Sequence, residues 1–404
     1  MNINLKKLHD YPFVKLDRLL KNIDTENSNS PIALTIGEPQ HKPPSFVTDL
    51  LVSSLSSINK YPSTKGIYEL REVISNWLCS RFHLPSASID PELNVLPVVG
   101  TREALFSAAQ FIINSETSCG KPLVIFPSPF YQIYEGATLM AGAEPLYLSC
   151  DKDNNFLPDL DSISDNEWSR CQLFYLCSPA NPTGIEVPVE YYKKLISLSD
   201  KFNFVIASDE CYSEIYHDEL SPPIGLLQVC SLIGRDDFSG CLVFNSLSKR
   251  SNLAGMRSGF VAGCKNLISS FLRYRIYHGS ALPIHHQQAS IGAWSDEKHV
   301  IENRLLYREK MNVVVPVLKS RFDIEIPTAG FCLWLNISFD DEEFAIHAFR
   351  EKNLRVLPGQ YLAREVNGIN PGYGFLRLAL VQPLDICKIA VERLLQCASF
   401  LDAK

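Results

Sequence analysis

No stretch of this sequence approaches the roughly 20 consecutive apolar residues that a membrane span needs. The N-terminal MNINLKKLHDYPFVKL mixes charges with apolar residues and lacks the apolar core of a secretion signal, so the cytoplasm is the expected location. Positive charge is in short supply as well: 38 Lys and Arg stand against 45 Asp and Glu, a formal net charge of −7. That balance argues against nucleic acid or an anionic membrane as the main partner. There is no internal repeat and no low-complexity tract, and only NIDTENSNSP near residue 30 has the composition of a linker. The 12 cysteines include no C-x-x-C pair, which leaves no obvious disulfide framework or zinc site. Several of them (Cys177, Cys241, Cys264, Cys332) sit inside apolar runs, where a reduced thiol behaves as a small hydrophobe. The adjacent His285 and His286 lack the i, i+4 spacing that puts two ligands on one helix face, so no metal is expected.

What is there is a soluble-protein composition, 46% apolar and 21% charged, spread over 404 residues. That length exceeds what one hydrophobic core usually serves, so a large and a smaller domain are expected. From about residue 60 to 265 helix-like and strand-like segments alternate. IYELREVISNWL places Ile67, Leu70, Val73, Ile74, Trp77 and Leu78 on one helical face. The runs LVIFP, QLFYLCSP, FVIASDE, CLVFNSLSK and GFVAG read as short buried strands. Strands of this kind separated by helices predict an α/β fold with a largely parallel sheet covered on both faces. After about residue 285 a long helix (residues ~285–320) leads to strand FCLWLNI, helix EEFAIHAFREK, strand FLRLALV and a C-terminal helix, a compact α+β unit. The expected division is an N-terminal arm over 1–40, a large domain over 41–284 and a small domain over 285–404.

In an open parallel sheet, ligands bind beyond the carboxyl ends of the strands. Four polar clusters fall there: Asn181-Pro182-Thr183-Gly184, Asp209-Glu210-Cys211-Tyr212, Ser246-Leu247-Ser248-Lys249, and Gly100-Thr101-Arg102 before a helix. A lysine held by the fold can form a Schiff base with a carbonyl cofactor such as pyridoxal 5′-phosphate (PLP). PLP needs an acid beside its pyridine nitrogen so that the ring accepts carbanion electrons, and Asp209 at a strand end is the candidate. Its phosphate needs donors, which a helix N-terminus around Thr101 and Arg102 supplies, with Ser246 and Arg257 adding a hydroxyl and a guanidinium. Asn181 and Tyr212 can hydrogen-bond the ring oxygen, and Tyr131 in PSPFYQIY can cover the ring.

Each piece alone has a plainer reading. NPTG is a turn, an Asp after a strand is most often a cap, Thr101 can be only an N-cap, Tyr131 only packing and Arg257 only a surface charge. The order and spacing of the set favour chemistry. NPTG is followed 28 residues on by D-E-C-Y, the lysine stands 40 beyond that Asp, and an arginine 8 further.

This order resembles that of the fold-type I PLP-dependent aminotransferases, whose S-x-S-K…(G)xRxG signature is matched by SLSKRSNLAGMRSGF. The resemblance implies a large domain with a mostly parallel seven-stranded sheet between helices, plus a smaller α+β domain. It implies Lys249 as the Schiff-base lysine, Asp209 as the pyridinium partner, and Asn181 and Tyr212 as ring-oxygen contacts. Thr101, Arg102, Ser246, Ser248 and Arg257 match the phosphate cup, and Tyr131 the stacking ring. Tyr61 in KYPSTKGIYELR matches a tyrosine that crosses to the partner site of a homodimer. Gly37 in LTIGEP and Arg377 in FLRLALV match the group that grips the substrate α-carboxylate, with Asn181 beside them. Ala254 departs from the proline expected before the Gly-x-Arg, which bears on the stiffness of that loop.

Four stretches, LHDYPFVKLDRLL, RYRIYHGSALPIHHQQAS, VLPGQYLAREVNGINPG and GFLRLALV, resemble the succinyldiaminopimelate transaminase branch. That branch implies small-molecule partners only, with glutamate and N-succinyl-2-amino-6-oxopimelate as the amino-acid and 2-oxo-acid substrates. Aspartate, alanine or aromatic aminotransferases, and a PLP lyase on the same scaffold, stay open as alternatives. A substrate with a distant carboxylate needs a further cation, for which Arg273, Arg275, His278 and Arg364 are available, though each is individually expected to be an ordinary surface or interface charge.

Overall fold

The computed structural model describes residues 1–25, 29–116 and 120–402; the linker-like stretch near residue 30 lies partly outside them, as does Cys119. The strands are β1 (Ile32–Ala33), β2 (Val95–Val98), β3 (Leu123–Ser128), β4 (Glu144–Ser149), β5 (Cys171–Cys177), β6 (Val205–Asp209), β7 (Cys241–Ser246), β8 (Gly259–Gly263), β9 (Cys332–Asn336), β10 (Leu354–Arg355), β11 (Leu357–Pro358) and β12 (Phe375–Ala379). Seven of them form one sheet in the order β2-β8-β7-β6-β5-β3-β4. Only β8 runs antiparallel to its neighbours; β7, β6, β5, β3 and β4 pair in parallel.

The central strands are largely apolar until their carboxyl ends because helices cover both faces. Their alternate residues feed two separate cores. Ile125, Phe174, Leu176, Ile206 and Val243 pack on one side, and Val124, Leu173, Tyr175, Leu242 and Phe244 on the other. The two edge strands do not stand out as strand-like runs in the sequence, and each contains a proline, Pro97 in β2 and Pro145 in β4. Proline is tolerated at an edge because it lacks only a ladder donor that an interior strand would need.

Two expectations need correction. The run CLVFNSLSK is strand only as far as Ser246; Leu247–Arg250 turn into a short helix whose start is held by the Ser246 hydroxyl accepting from Ser248 N at 3.3 Å. The single helix expected over ~285–320 is two, Ile284–Ser295 and Lys298–Leu318. Asp296 between them is extended, and its carboxylate takes the His299 backbone N–H at 3.0 Å and lies 2.6 Å from the His299 ring nitrogen. Local side-chain bonding of this kind competes with helix continuation. The first of these helices adds Ala289, Ala293 and Trp294 to the larger body's core, so that packing runs on past residue 284.

The smaller body is the antiparallel sheet β11-β12-β9 under helices Asp341–Lys352 and Leu384–Asp402, with Leu333, Leu335, Leu376, Leu378 and Leu394 at its centre. The N-terminal arm packs here. Helix Pro12–Leu20 sets Leu16 and Leu20 against Leu357, Tyr361 and Leu362, and β1 pairs in parallel with β10. No helix among the described residues is long and apolar enough to cross a membrane.

Candidate active site

Because β3, β5, β6 and β7 run the same way, the loops after them open on one edge of the sheet. A cavity of about 560 Å³ lies there, bounded on its far side by the N-terminal arm and β12. Its wall includes every predicted site residue except Tyr61, which is fully exposed and outside it.

Lys249 enters from the short helix after β7. Its Nζ reaches the carbonyl of Gly37 and sits 5.4 Å from the Phe331 ring centroid. Burial lowers its pKa to about 8, and the nearby positive charge of Arg377 pushes the same way. Asp209 closes β6. Its Oδ2 accepts from Tyr134 Oη at 2.8 Å and its Oδ1 from the Cys211 N–H at 3.3 Å. Burial still raises its pKa, against those bonds and the charge of Lys249. Neither group has an ion-pair partner among the described residues. A buried charge without one is costly, so each is poised for a charge or a bond that a ligand brings.

The end of the cavity expected to hold a phosphate is built around Gly100. It caps helix Thr101–Ile112 with φ +78°, and a Cβ there would lie 2.3 Å from Arg257 Nη2. Only glycine lets the guanidinium come this close to the helix's free N–H groups. Arg257 itself takes a left-handed φ of 50° and donates to the Ala254 carbonyl at 2.7 Å, so the position where proline was expected supplies an acceptor for this arginine. Ser246 and Ser248 line the same end, and Thr101 Oγ1 lies 3.1 Å from the Cys211 sulfur.

Tyr131 Oη accepts from Arg102 Nε at 2.8 Å, and burial pushes its phenol pKa up. Asn181 follows β5 with its Oδ1 buried and without a partner. Tyr212 is buried with its ring edge on Phe331, 5.3 Å between centroids. On β12, Arg377 is buried, donates to the Thr35 carbonyl and stands 5.8 Å from the Phe13 ring, while its Nε has no partner.

None of the four cations considered for a distant carboxylate lines this cavity. Arg275 is paired with Glu103, and His278 is 3.9 Å from the same carboxylate. Arg364 holds Glu135 through two bonds, at 2.8 and 2.7 Å, and Arg273 is exposed. Sequence reading also passed over residues that the fold brings in. Tyr134 stands one helical turn beyond Tyr131, a spacing that could have flagged it. Tyr11 and Phe13 come from the N-terminal arm, and no local signal in the sequence points to them.

Comparison with known proteins agrees with this geometry. A family model described as aminotransferase class I and II matches residues 29–394. A crystal structure of an aminotransferase from Neisseria meningitidis superposes with a TM-score of 0.93 at 45% identity, covering 98% of this chain and 99% of that one. Aminotransferase AspB from Helicobacter pylori gives 0.87 at 32% identity, with 98% and 100% covered. An LL-diaminopimelate aminotransferase of Maridesulfovibrio salexigens is 30% identical over 397 residues, 96% of this chain and 97% of its own length. That of Halothermothrix orenii is 29% identical over 398 residues, with 96% of each covered. These curated relatives carry the unsuccinylated substrate in their names, whereas the sequence motifs resemble the succinylated branch. With the family model spanning nearly its whole length, the chain belongs to the class I and II aminotransferases and is a PLP-dependent aminotransferase.

Proposed function

We propose that Lys249 carries the cofactor, and that the enzyme moves an amino group between glutamate and a 2-oxo acid with a diaminopimelate skeleton, N-succinyl-2-amino-6-oxopimelate. The observation that carries this reading is the convergence in one cavity of three charged groups with no ion pair among the described residues: the half-buried Lys249 and the buried Asp209 and Arg377. PLP supplies an aldehyde for an amine and a ring that accepts electrons. The residues fit it. Asp209 lacks a cation and would face the pyridine nitrogen, while Gly100, Thr101, Ser246, Ser248 and Arg257 form a donor set for a phosphate. Asn181, donating through its amide NH₂, and Tyr212, through its hydroxyl, would meet the ring oxygen, and Tyr131 the ring face.

The chain's own part in the reaction follows from these positions. Arg377 presents a planar fork to the substrate α-carboxylate, a geometry that lysine does not reproduce. The Gly37 carbonyl and Asn181 border the same space. Lys249 Nζ, with a pKa near 8, could take a proton from the Cα of the amino donor in one half-reaction and deliver one to the Cα of the acceptor in the other. Arg102, expected in the phosphate cup, keeps its backbone in the first turn of helix Thr101–Ile112, but its side chain is exposed and held on Tyr131, which makes it the cavity's remaining cation for a distant carboxylate.

The names of the curated relatives support the diaminopimelate skeleton, and the four branch-like stretches support the succinylated form. With glutamate as donor, kcat/KM for the succinylated oxo acid is expected to exceed that for oxaloacetate, pyruvate and phenylpyruvate by at least about tenfold, the scale of roughly 1.4 kcal/mol. A reversed preference would remove the substrate and leave the aminotransferase. LL-diaminopimelate itself, assayed with 2-oxoglutarate, is the second reading; tenfold better use of it than of its succinylated form would select it.

A homodimer belongs to the same proposal. Tyr61 is exposed near the exposed Leu50, Val52, Leu55 and Ile58, an apolar stretch suited to a two-fold contact. If Tyr61 completes the neighbour's phosphate cup, mixing inactive Lys249→Ala with weakened Tyr61→Phe chains restores activity through hybrid dimers holding one intact site. A fully active monomer in light scattering at assay concentration would remove this part.

A further inference from the structure

Away from the cavity, a chain of polar groups, the buried Asn303 and Lys310 with the half-buried His41 between them, runs along one face of helix Lys298–Leu318. Asn303 and Lys310, two turns apart, both point toward His41 in the segment His41-Lys42-Pro43-Pro44. His41 Nδ1 lies 2.9 Å from Asn303 Oδ1, and Lys310 Nζ 2.8 Å from His41 Nε2. At one end, Asn303 Nδ2 donates to the carbonyls of Lys249 at 3.1 Å and Arg250 at 3.3 Å, capping the short helix that carries Lys249. At the other, Lys310 Nζ donates to the carbonyls of Leu380 and Val381, both at 3.2 Å, just past the strand that carries Arg377.

With Lys310 as an ammonium, the donors and acceptors admit one arrangement. An ammonium has three N–H donors and no acceptor, and Lys310 meets three acceptors: two carbonyls and His41 Nε2. His41 Nε2 must then be bare, so Nδ1 carries the proton and donates to Asn303 Oδ1. That fixes the Asn303 amide with its NH₂ toward Lys249 and Arg250. We propose that His41, neutral and protonated on Nδ1, is a positioning residue that locks the turn bearing Lys249 to the strand bearing Arg377.

The surroundings hold that state. Burial lowers the His41 pKa, opposed by its bond to Asn303 and helped by the charge of Lys310. Burial brings Lys310 to about 8, with Cys387 from the C-terminal helix and Glu309 on its own helix pulling upward. The Tyr307 ring lies tilted beside them, its centroid 4.5 Å from that of the His41 ring and 5.0 Å from Lys310 Nζ. Near neutral pH the pair is therefore imidazole and ammonium. A second proton on His41 would set two cations face to face, and deprotonation of Lys310 would remove one of its three donors.

The tautomer stands by itself; its consequence for turnover rests on the roles proposed for Lys249 and Arg377. In ¹⁵N-histidine-labelled holoenzyme at pH 7, the signal lost in His41→Gln is expected to report a protonated Nδ1 and a bare Nε2. A protonated Nε2, or a doubly protonated ring, would overturn the assignment whatever the enzyme does. His41→Leu, with PLP still bound, is expected to lose about tenfold or more in kcat/KM for glutamate and to shift the alkaline pH dependence of the bound cofactor's absorption, because a small displacement of reacting groups is amplified in rate. His41→Gln can accept from Lys310 and donate to Asn303, and it should recover most of that loss. Equal losses in both variants would mean that ring shape alone matters, and no loss in His41→Leu would mean that the link positions nothing. Either result overturns the proposal.

Discussion

Replacing Lys249 by alanine is expected to stop transamination while leaving PLP bound through the phosphate end. The reason lies in the separation of tasks within the cavity. Gly100, Thr101, Ser246, Ser248 and Arg257, the proposed donor set for the phosphate, stay intact, so the cofactor should keep most of its contacts. What disappears is the cavity's one lysine amine, and with it both the proposed covalent attachment point and the proposed proton-moving group at the substrate Cα. A positioned acid–base group alone is worth about 10²- to 10⁴-fold, so steady-state kcat should fall by at least about 10³-fold once attachment is lost as well. In the unaltered enzyme, borohydride reduction should fix the cofactor on Lys249 and on no other lysine in a peptide map. The rate at which the apoenzyme takes up PLP should rise with pH and level off above about 8, where burial has placed the change from ammonium to free amine. A reduced adduct on another lysine, or an uptake rate flat between pH 6 and 9, would contradict the assignment.

Asp209→Ala is expected to bind PLP and lose about 10²-fold or more in kcat, with little change in KM. A carboxylate beside the ring nitrogen favours its protonated form, and that charge matters most as electrons move into the ring. The loss should therefore appear in the transition state and not in substrate binding. The burial that raises the Asp209 pKa is opposed by bonds from Tyr134 and Cys211, which keep a carboxylate available. Tyr134→Phe removes one hydrogen bond to that charge, an interaction worth about 1.5–3 kcal/mol, and should give a smaller loss of the same kind. If Asp209→Ala keeps near-normal kcat, the electron-withdrawing role belongs to another group. If Tyr134→Phe raises KM and leaves kcat alone, its bond to Asp209 is not what supports turnover.

The sequence carried the centre of the sheet, and with it the convergence of the polar clusters on one cavity, for one reason. Strands buried on both faces must be apolar throughout, so LVIFP, QLFYLCSP, FVIAS and CLVFN advertise themselves, and the polar residues just after them have to converge. The margins were less legible. β2 and β4 have neighbours on one side only, and prolines blur their signal. The stop at Asp296 depends on a side chain bonding to backbone three residues ahead, which competes with a helix pattern that otherwise runs on. Tyr11 and Phe13 reach the cavity only because helix Pro12–Leu20 docks on the smaller body, a tertiary event with no local signature. Arg275 and Arg364 show the converse. Both stand in distinctive stretches, yet Glu103 and Glu135 already neutralise them.

The prolines at the two margins of the large sheet also bear on how copies of this chain can meet. A free strand edge is a template on which a newcomer adds by exchanging main-chain bonds, and repetition of that step builds fibres. Pro97 and Pro145 each delete one donor from the two edges where such growth would start. Self-association is thereby turned away from open-ended growth and toward contacts between side chains, which close on themselves when they obey a two-fold axis.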